Sequence, residues 1–212
     1  MSELDGANGV ENVIFGFGGV LVDWEPRSAL EGLYPAGVID MVLDRGDKWG
    51  FWRFNELADA GWSQERILAD YESDHGPAVA WVLRTYFEHI DRSLKAMIPG
   101  MGHLLDDLAG QGAHTWGLAN ASRSMVDAAF GKFAPMRRLE GIVVSAEEGL
   151  RKPDPLIYQV LLRRWRLEAG RSVFVDDRRE NVDVAQRLGM RGLLFTDARQ
   201  LREDLRGLGL RL

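Results

Sequence analysis

Four short stretches carry residues suited to holding a phosphorylated molecule: FGFGGVL (15–21), GLANAS (117–122), GLRKPDPLIY (149–158) and VFVDDRRENV (173–182). The first places Gly16, Gly18 and Gly19 directly after the apolar run at residues 13–15. A glycine-rich backbone at a strand end comes close enough to an anion to offer it N–H groups. The second stretch supplies the amide of Asn120, and the third the ammonium of Lys152. The fourth supplies two adjacent carboxylates, Asp176 and Asp177. An ammonium with backbone amides suits a phosphoryl group, and a carboxylate pair suits Mg²⁺, a hard ion that prefers oxygen ligands. One part is missing. Gly16 ends the first apolar run and points into the turn, where a reactive side chain is expected.

For these stretches to meet, the chain must bring them to one edge. Short apolar runs rich in β-branched residues recur at 12–17, 114–119, 141–145, 172–176 and 192–196. Helical patterns lie among them at 102–112, 154–165 and 180–190. Leu104, Leu105 and Leu108 share a face of the first. The second has Asp154 as N-cap, Pro155 at its first position and Ile157, Val160, Leu161 and Trp165 along one side. Val182, Ala185 and Leu188 line the third, which Gly189 stops. Alternating strands and helices predict a parallel sheet covered on both faces, whose carboxyl ends gather the four stretches.

Residues 25–95 break this rhythm. They show no strand pattern and have helical segments around 28–45, 49–60 (near Trp49 and Trp52), 63–73 with Ser63 as N-cap, and 77–95. Four of the 7 tryptophans fall here: Trp49, Trp52, Trp62 and Trp81. Their clustering predicts a helical bundle that fills its own core with indoles, and the sharper alternative is that one or two line a cleft. A helical insertion after the first strand is a lid over the strand ends.

Composition narrows the partners. The 212 residues can hold one domain plus an insertion, and a net charge of −6 argues against nucleic acid or an anionic membrane surface. With no cysteine, disulfides, thiolate chemistry and cysteine-ligated zinc are excluded. His75, His89, His103 and His114 are isolated, without metal-ligand spacing. The first ten residues lack the cationic and apolar segments of a signal peptide, and no apolar run approaches the ~20 residues of a membrane span. A cytoplasmic protein is expected.

Taken together, FGFGGVL, KPDPLIY, VDDRRENV, RLGM and the closing LREDLRGLGL resemble a haloacid dehalogenase-like hydrolase of subfamily I. The likeness is to the phosphatase-like branch, whose first motif reads DFGGVL or DxGxVL. The resemblance implies an α/β Rossmann-like three-layer core with sheet order 5-4-1-2-3 over residues 1–23 and 96–212, and an all-helical cap over 24–95. It also implies Mg²⁺-dependent attack on a small phosphate monoester by the first aspartate of that motif. Lys152 then matches the lysine that neutralises nucleophile and phosphoryl oxygens. Asp176, Asp177 and the backbone carbonyl of Gly18 match metal ligands. Phe17, Gly18, Ala119 and Asn120 match the phosphate-binding positions, and Asn181 orients the acidic pair.

Three positions depart from the pattern. Gly16 replaces the nucleophilic aspartate and Ala119 a serine or threonine, and Gly18 stands where many relatives carry the acid/base aspartate, although the phosphatase-like branch often has glycine there. Asp23 is the nearest alternative carboxylate, but its place between core and cap suits a hinge better, because near-attack geometry is strict. The expected function is a binding or regulatory protein for a small phosphorylated metabolite or inorganic phosphate, with Mg²⁺ affinity weakened at position 16. The alternative is an active phosphatase, through another nucleophile or because Gly16 is not native. Dehalogenation of a 2-haloacid fails on the same missing aspartate. The sequence carries no code for substrate or oligomeric state.

Overall fold

Asn12–Phe15 (β1) is buried along its whole length, as a strand with neighbours on both edges and helices on both faces must be. In this computed structural model, which describes residues 9–212, β1 is the middle of a parallel sheet. Residues 1–8, most of the stretch read above for a targeting signal, lie outside the described residues. Around β1 the chain forms β2 (Val22–Trp24), α1 (Ala36–Val42), α2 (Phe51–Asp59), α3 (Gln64–His75), α4 (Pro77–Glu88) and β3 (Leu94–Met97). It continues as α5 (Met101–Gly110), β4 (His114–Ala119), α6 (Arg123–Lys132), β5 (Gly141–Val144), α7 (Ser145–Glu148) and α8 (Pro155–Trp165). β6 (Ser172–Asp176), α9 (Arg179–Arg187), β7 (Arg191–Leu194) and α10 (Ala198–Gly207) complete it.

The sheet order is β5-β4-β1-β6-β7, with every pairing parallel. Counted among core strands alone, this is the expected order read from the opposite edge. Strand alternation splits the interior in two. Val13 and Phe15 pack with Leu104, Leu105 and Leu108 of α5 on one face, and Ile14 packs with Phe174, Ile157, Leu161 and Ala185 on the other. Both helix N-caps read from the sequence form: Ser63 accepts from the Arg66 amide and Asp154 from the Leu156 amide.

The inserted cap differs from expectation in two respects. The chain leaves and re-enters the core through β2 and β3, which pair antiparallel, with Trp24 opposite Leu94. Neither three- to four-residue strand leaves a periodic trace. The predicted helix over 28–45 is a 3₁₀ turn at Pro26–Ala29 followed by α1, because Gly32 turns the chain at φ +78 and Pro35 disfavours helix in the residue before it. The predicted helix over 77–95 ends at Glu88, and the chain is extended again by Leu94.

The indoles do not fill the cap core. Trp49 and Trp81 are 59% and 61% exposed, and the buried rings are Phe51, Phe54, Tyr71, Tyr86 and Phe87. Phe51 and Tyr86 meet edge to face at 4.8 Å, Phe54 and Tyr71 at 5.1 Å. No described helix is long and apolar enough to cross a membrane.

The C-terminal end of α2 is fastened to the core. The Ser145 hydroxyl donates to the Asp59 carbonyl at 2.5 Å and accepts from the Ala121 amide at 3.0 Å. Two residues on, Gly61 holds φ +92, and a Cβ there would stand 2.5 Å from the Ala146 carbonyl oxygen. Gly61→Ala therefore meets both a left-handed backbone and an immovable neighbour. It is expected to lower unfolding free energy by about 1–3 kcal/mol in urea denaturation, and an unchanged midpoint would contradict this docking.

Candidate active site

The carboxyl ends of β1, β4 and β6 open into a cleft of about 490 Å³ closed from above by α2. Phe17, Gly18, Gly19, Asn120, Lys152, Asp176, Asp177 and Asn181 all line it, so the structure brings together residues from all four stretches singled out above. A larger hollow, about 620 Å³, lies within the cap and is lined by Asp47, Arg53, Asp74 and His75 among others. It contains none of these groups, and volume alone does not choose the site.

Lys152 is fixed first through its backbone. The Asn120 side chain accepts from the Lys152 amide and donates to the Lys152 carbonyl, both at 2.9 Å. This carboxamide, expected at the phosphate, clamps the lysine with its oxygen and one N–H and still lines the cleft. The Lys152 ammonium in turn donates to Asp176 Oδ2 at 2.7 Å, with both side chains almost wholly buried. Asp176 Oδ1 accepts from Asn181 Nδ2 at 2.7 Å and from the Arg178 amide at 3.1 Å. Asn181 thus orients Asp176, and Tyr158 holds Asn181 by donating to its carbonyl at 3.0 Å.

The Gly16 amide donates to the Val175 carbonyl at 2.7 Å, which locks the strand end beside β6. A Cβ on Gly16 would lie 2.7 Å from Asp176 Oδ2 and 3.1 Å from Val20 Cγ2. The Asp176 carboxylate therefore fills the space a side chain at position 16 would need, and has taken Lys152 as its partner. Position 18 is different. A Cβ there would find only Trp24 Cβ, at 3.9 Å.

The turn offers fewer amides than its sequence suggests. The Gly19 amide is spent on the Val22 carbonyl at 3.0 Å. The amides of Phe17 and Gly18 have no acceptor among the described residues. Asp177 lies against Gly19, whose φ of +78 and missing Cβ make room for its carboxylate. Burial, and then the charge of Asp176, push the Asp177 carboxyl above the usual carboxylate range.

Two expected positions are not in the cleft. Ala119 is fully buried at the end of β4 and does not line it, because strand alternation leaves its successor Asn120 to face the opening. Asp23 is exposed on β2, while its neighbour Trp24 faces the cleft, so Asp23 is not a substitute nucleophile.

Trp52 lines the cleft, as the alternative reading of the clustered indoles has it, while Trp24, Arg45 and Asp59 are residues that sequence reasoning missed. Trp24 and Trp52 pack edge to face at 6.0 Å, Arg45 lies 3.7 Å over the Trp52 ring, and Asp59 is buried at the end of α2. Asp59 follows Ala58 on an amphipathic helix and reads in sequence like any helical surface acid. Its burial pushes the carboxyl up to about 7, with Glu56 adding to the rise and Arg151 and Lys152 opposing it. The folded state thus binds the proton more tightly than the unfolded chain. The stability this supplies is full below pH ~4 and lost as pH rises through about 7. Asp59→Asn should remove that slope and exceed the parent by on the order of 2–3 kcal/mol above pH 7. Parallel urea-derived stability curves from pH 5 to 8 would refute this.

Oxygen donors for a divalent cation are the Asp177 carboxylate, the Gly18 carbonyl, which accepts no hydrogen bond among the described residues, and Asp176, already engaged. No cluster of three or more acidic or histidine ligands occurs among the described residues. The donors suit a hard ion, and the raised Asp177 carboxyl would be relieved by one.

This sheet order, helical insertion and strand-end cleft define a Rossmann-like α/β core with an inserted helical cap. The haloacid dehalogenase-like hydrolase family profile matches residues 10–189, and the chain belongs to that family. It is 36% identical over 115 residues to a sesquiterpene phosphatase of Aspergillus oryzae, a match covering 51% of this chain and 55% of the relative. The chain thus matches about half the length of that relative. A predicted HAD-like hydrolase structure from Porphyromonas gingivalis superposes with a TM-score of 0.73 at 19% identity, over 95% of this chain and 99% of the other. A Bacteroides thetaiotaomicron family enzyme, as an Asp-to-Ala mutant in complex with magnesium and inorganic phosphate, gives 0.70 at 17% identity, over 89% and 95%.

Proposed function

We propose that this chain binds inorganic phosphate or a small phosphorylated metabolite in the cleft and does not turn it over through an aspartyl-phosphate. The observation carrying this reading is the occupation of the position-16 space by Asp176, paired with Lys152. Asp176 is no replacement nucleophile, since both its oxygens already accept hydrogen bonds and it is 1% exposed. The Phe17 and Gly18 amides hold the anion, and the Lys152 ammonium is shared between it and Asp176. Asp177 and the Gly18 carbonyl would hold Mg²⁺, which when bound neutralises phosphate oxygens. The mutant relative that retains magnesium and phosphate supports binding without a full set of aspartates.

Calorimetry of the chain with inorganic phosphate, with and without Mg²⁺, tests the reading alongside hydrolysis of p-nitrophenyl phosphate. Binding strengthened by Mg²⁺ with no hydrolysis is expected. Turnover at an ordinary phosphatase rate, or no phosphate binding in either condition, would overturn it.

A further inference from the structure

A buried carboxyl in the roof of the cleft has no work in this account. Asp59 shares with Phe17, Gly18 and Asn120 a small recess of about 40 Å³ at the inner end of the cleft. Position 18 leaves this recess open, as its nearest would-be contact at 3.9 Å shows. Asp59 is 9% exposed, and the one side-chain hydrogen bond its carboxyl has among the described residues is a long one, 3.5 Å from Asn55 Nδ2. The groups facing it are Glu56 on its own helix, Arg151 and Lys152 from the core, and Tyr86 from α4. Neither cation is its own: Arg151 reaches Glu56 at 3.5 Å, and Lys152 is paired with Asp176. The side chain cannot easily be withdrawn, because the Ser145 bond and the Gly61 contact pin the end of α2 to the core.

Phe17 and Gly18, whose amides have no acceptor among the described residues and are free to hold an oxyanion, line the same recess as Asp59, so an anion held there would lie beside the carboxyl. Two anions in such a dry space repel strongly, and the carboxyl is the one that can take a proton. We propose that Asp59 is a ligand-contacting group of this cleft, and that an oxyanion dianion binds there together with one proton on Asp59. The proton comes from bulk water and no ligand bond breaks. The protonated carboxyl then donates its O–H to a ligand oxygen, in the space a side chain at position 18 would otherwise use. The inference rests on the anion-binding reading above. Burial already raises the carboxyl to about 7, so the bound anion need only complete the shift.

Sulfate is the suitable probe, since unlike phosphate it stays a dianion across neutral pH. Calorimetry at pH 8 in two buffers of different ionisation enthalpy should show uptake of about one proton per sulfate bound. Affinity should fall by up to about 10-fold per pH unit above pH 7. Asp59→Asn should bind sulfate more tightly than the parent at pH 8, with no proton uptake and no pH slope. A carboxyl ¹³C titration of the parent chain, with and without sulfate, gives the same answer should the variant not fold: the Asp59 midpoint should rise when sulfate is present. Sulfate binding without proton uptake, or equal uptake in Asp59→Asn, overturns the role of Asp59 and leaves the anion cleft standing. Failure of both sulfate and phosphate to bind at pH 6 overturns the anion cleft and this inference with it.

Discussion

Gly16→Asp is expected to create Mg²⁺-dependent hydrolysis of p-nitrophenyl phosphate where the parent chain shows none, at a cost in stability. A covalent nucleophile is worth roughly 10⁴–10⁶ in rate, and the new carboxylate would join Lys152 and Asp177 at the strand ends. Only part of that gain should appear, on the order of 10²–10³, because the new Cβ meets Asp176 Oδ2 at 2.7 Å. Asp176 must rotate away and surrender Lys152. Crowding of this kind costs about 1–3 kcal/mol, and three carboxylates around one ammonium add repulsion. Mg²⁺ relieves that repulsion, so the variant's melting temperature should rise with Mg²⁺ more than the parent's does. Adding Ala119→Ser should contribute little, since residue 119 does not face the cleft. A folded Gly16→Asp chain that Mg²⁺ stabilises but that releases no phosphate would show that position 16 is not the reacting position. Rapid hydrolysis by the parent would show that another nucleophile operates.

The second large effect concerns the ion pair itself. Lys152→Met should destabilise the fold by about 3–5 kcal/mol, because it leaves Asp176 charged and without its cation in a site that water barely reaches. Removing both charges should hurt less. Lys152→Met with Asp176→Asn keeps the Asn181 and Arg178 contacts on a neutral side chain and should recover most of the loss. Urea denaturation of the two single variants and the double variant closes the cycle. A coupling energy near zero would mean that the pair is incidental to stability and that Lys152 is free to serve a ligand.

The sequence made the core legible because its signals are local. The runs at 114–119 and 172–176 coincide with β4 and β6, and Asp154 caps α8 as its spacing requires. The polar stretches converge because parallel strands leave them no other edge. Side-chain commitments were not legible. Asn120 bonding to the Lys152 backbone depends on two loops 32 residues apart, and the turn of Asp176 toward Gly16 follows from a side chain that is absent. Trp52 and Trp81 look alike in sequence, yet one edges the cleft and the other faces solvent. Asp59 escaped because burial by a neighbouring unit has no signature in a helix's own periodicity. β2 and β3 escaped because strands of three and four residues show too little alternation to read.

The pairing of Trp24 with Leu94 means that the inserted helices begin and end at one point in space. Once that contact forms, the length of chain looped out beyond it costs little more, since closure entropy grows only with the logarithm of loop length. The core and its insertion can therefore change on separate schedules. Helices α1–α4 can lengthen, shorten or exchange residues without shifting the register of β1 against β4 or β6. The last turn of α2, which delivers Asp59 and rests on Ser145 and Ala146, is bound to the sequence of the core.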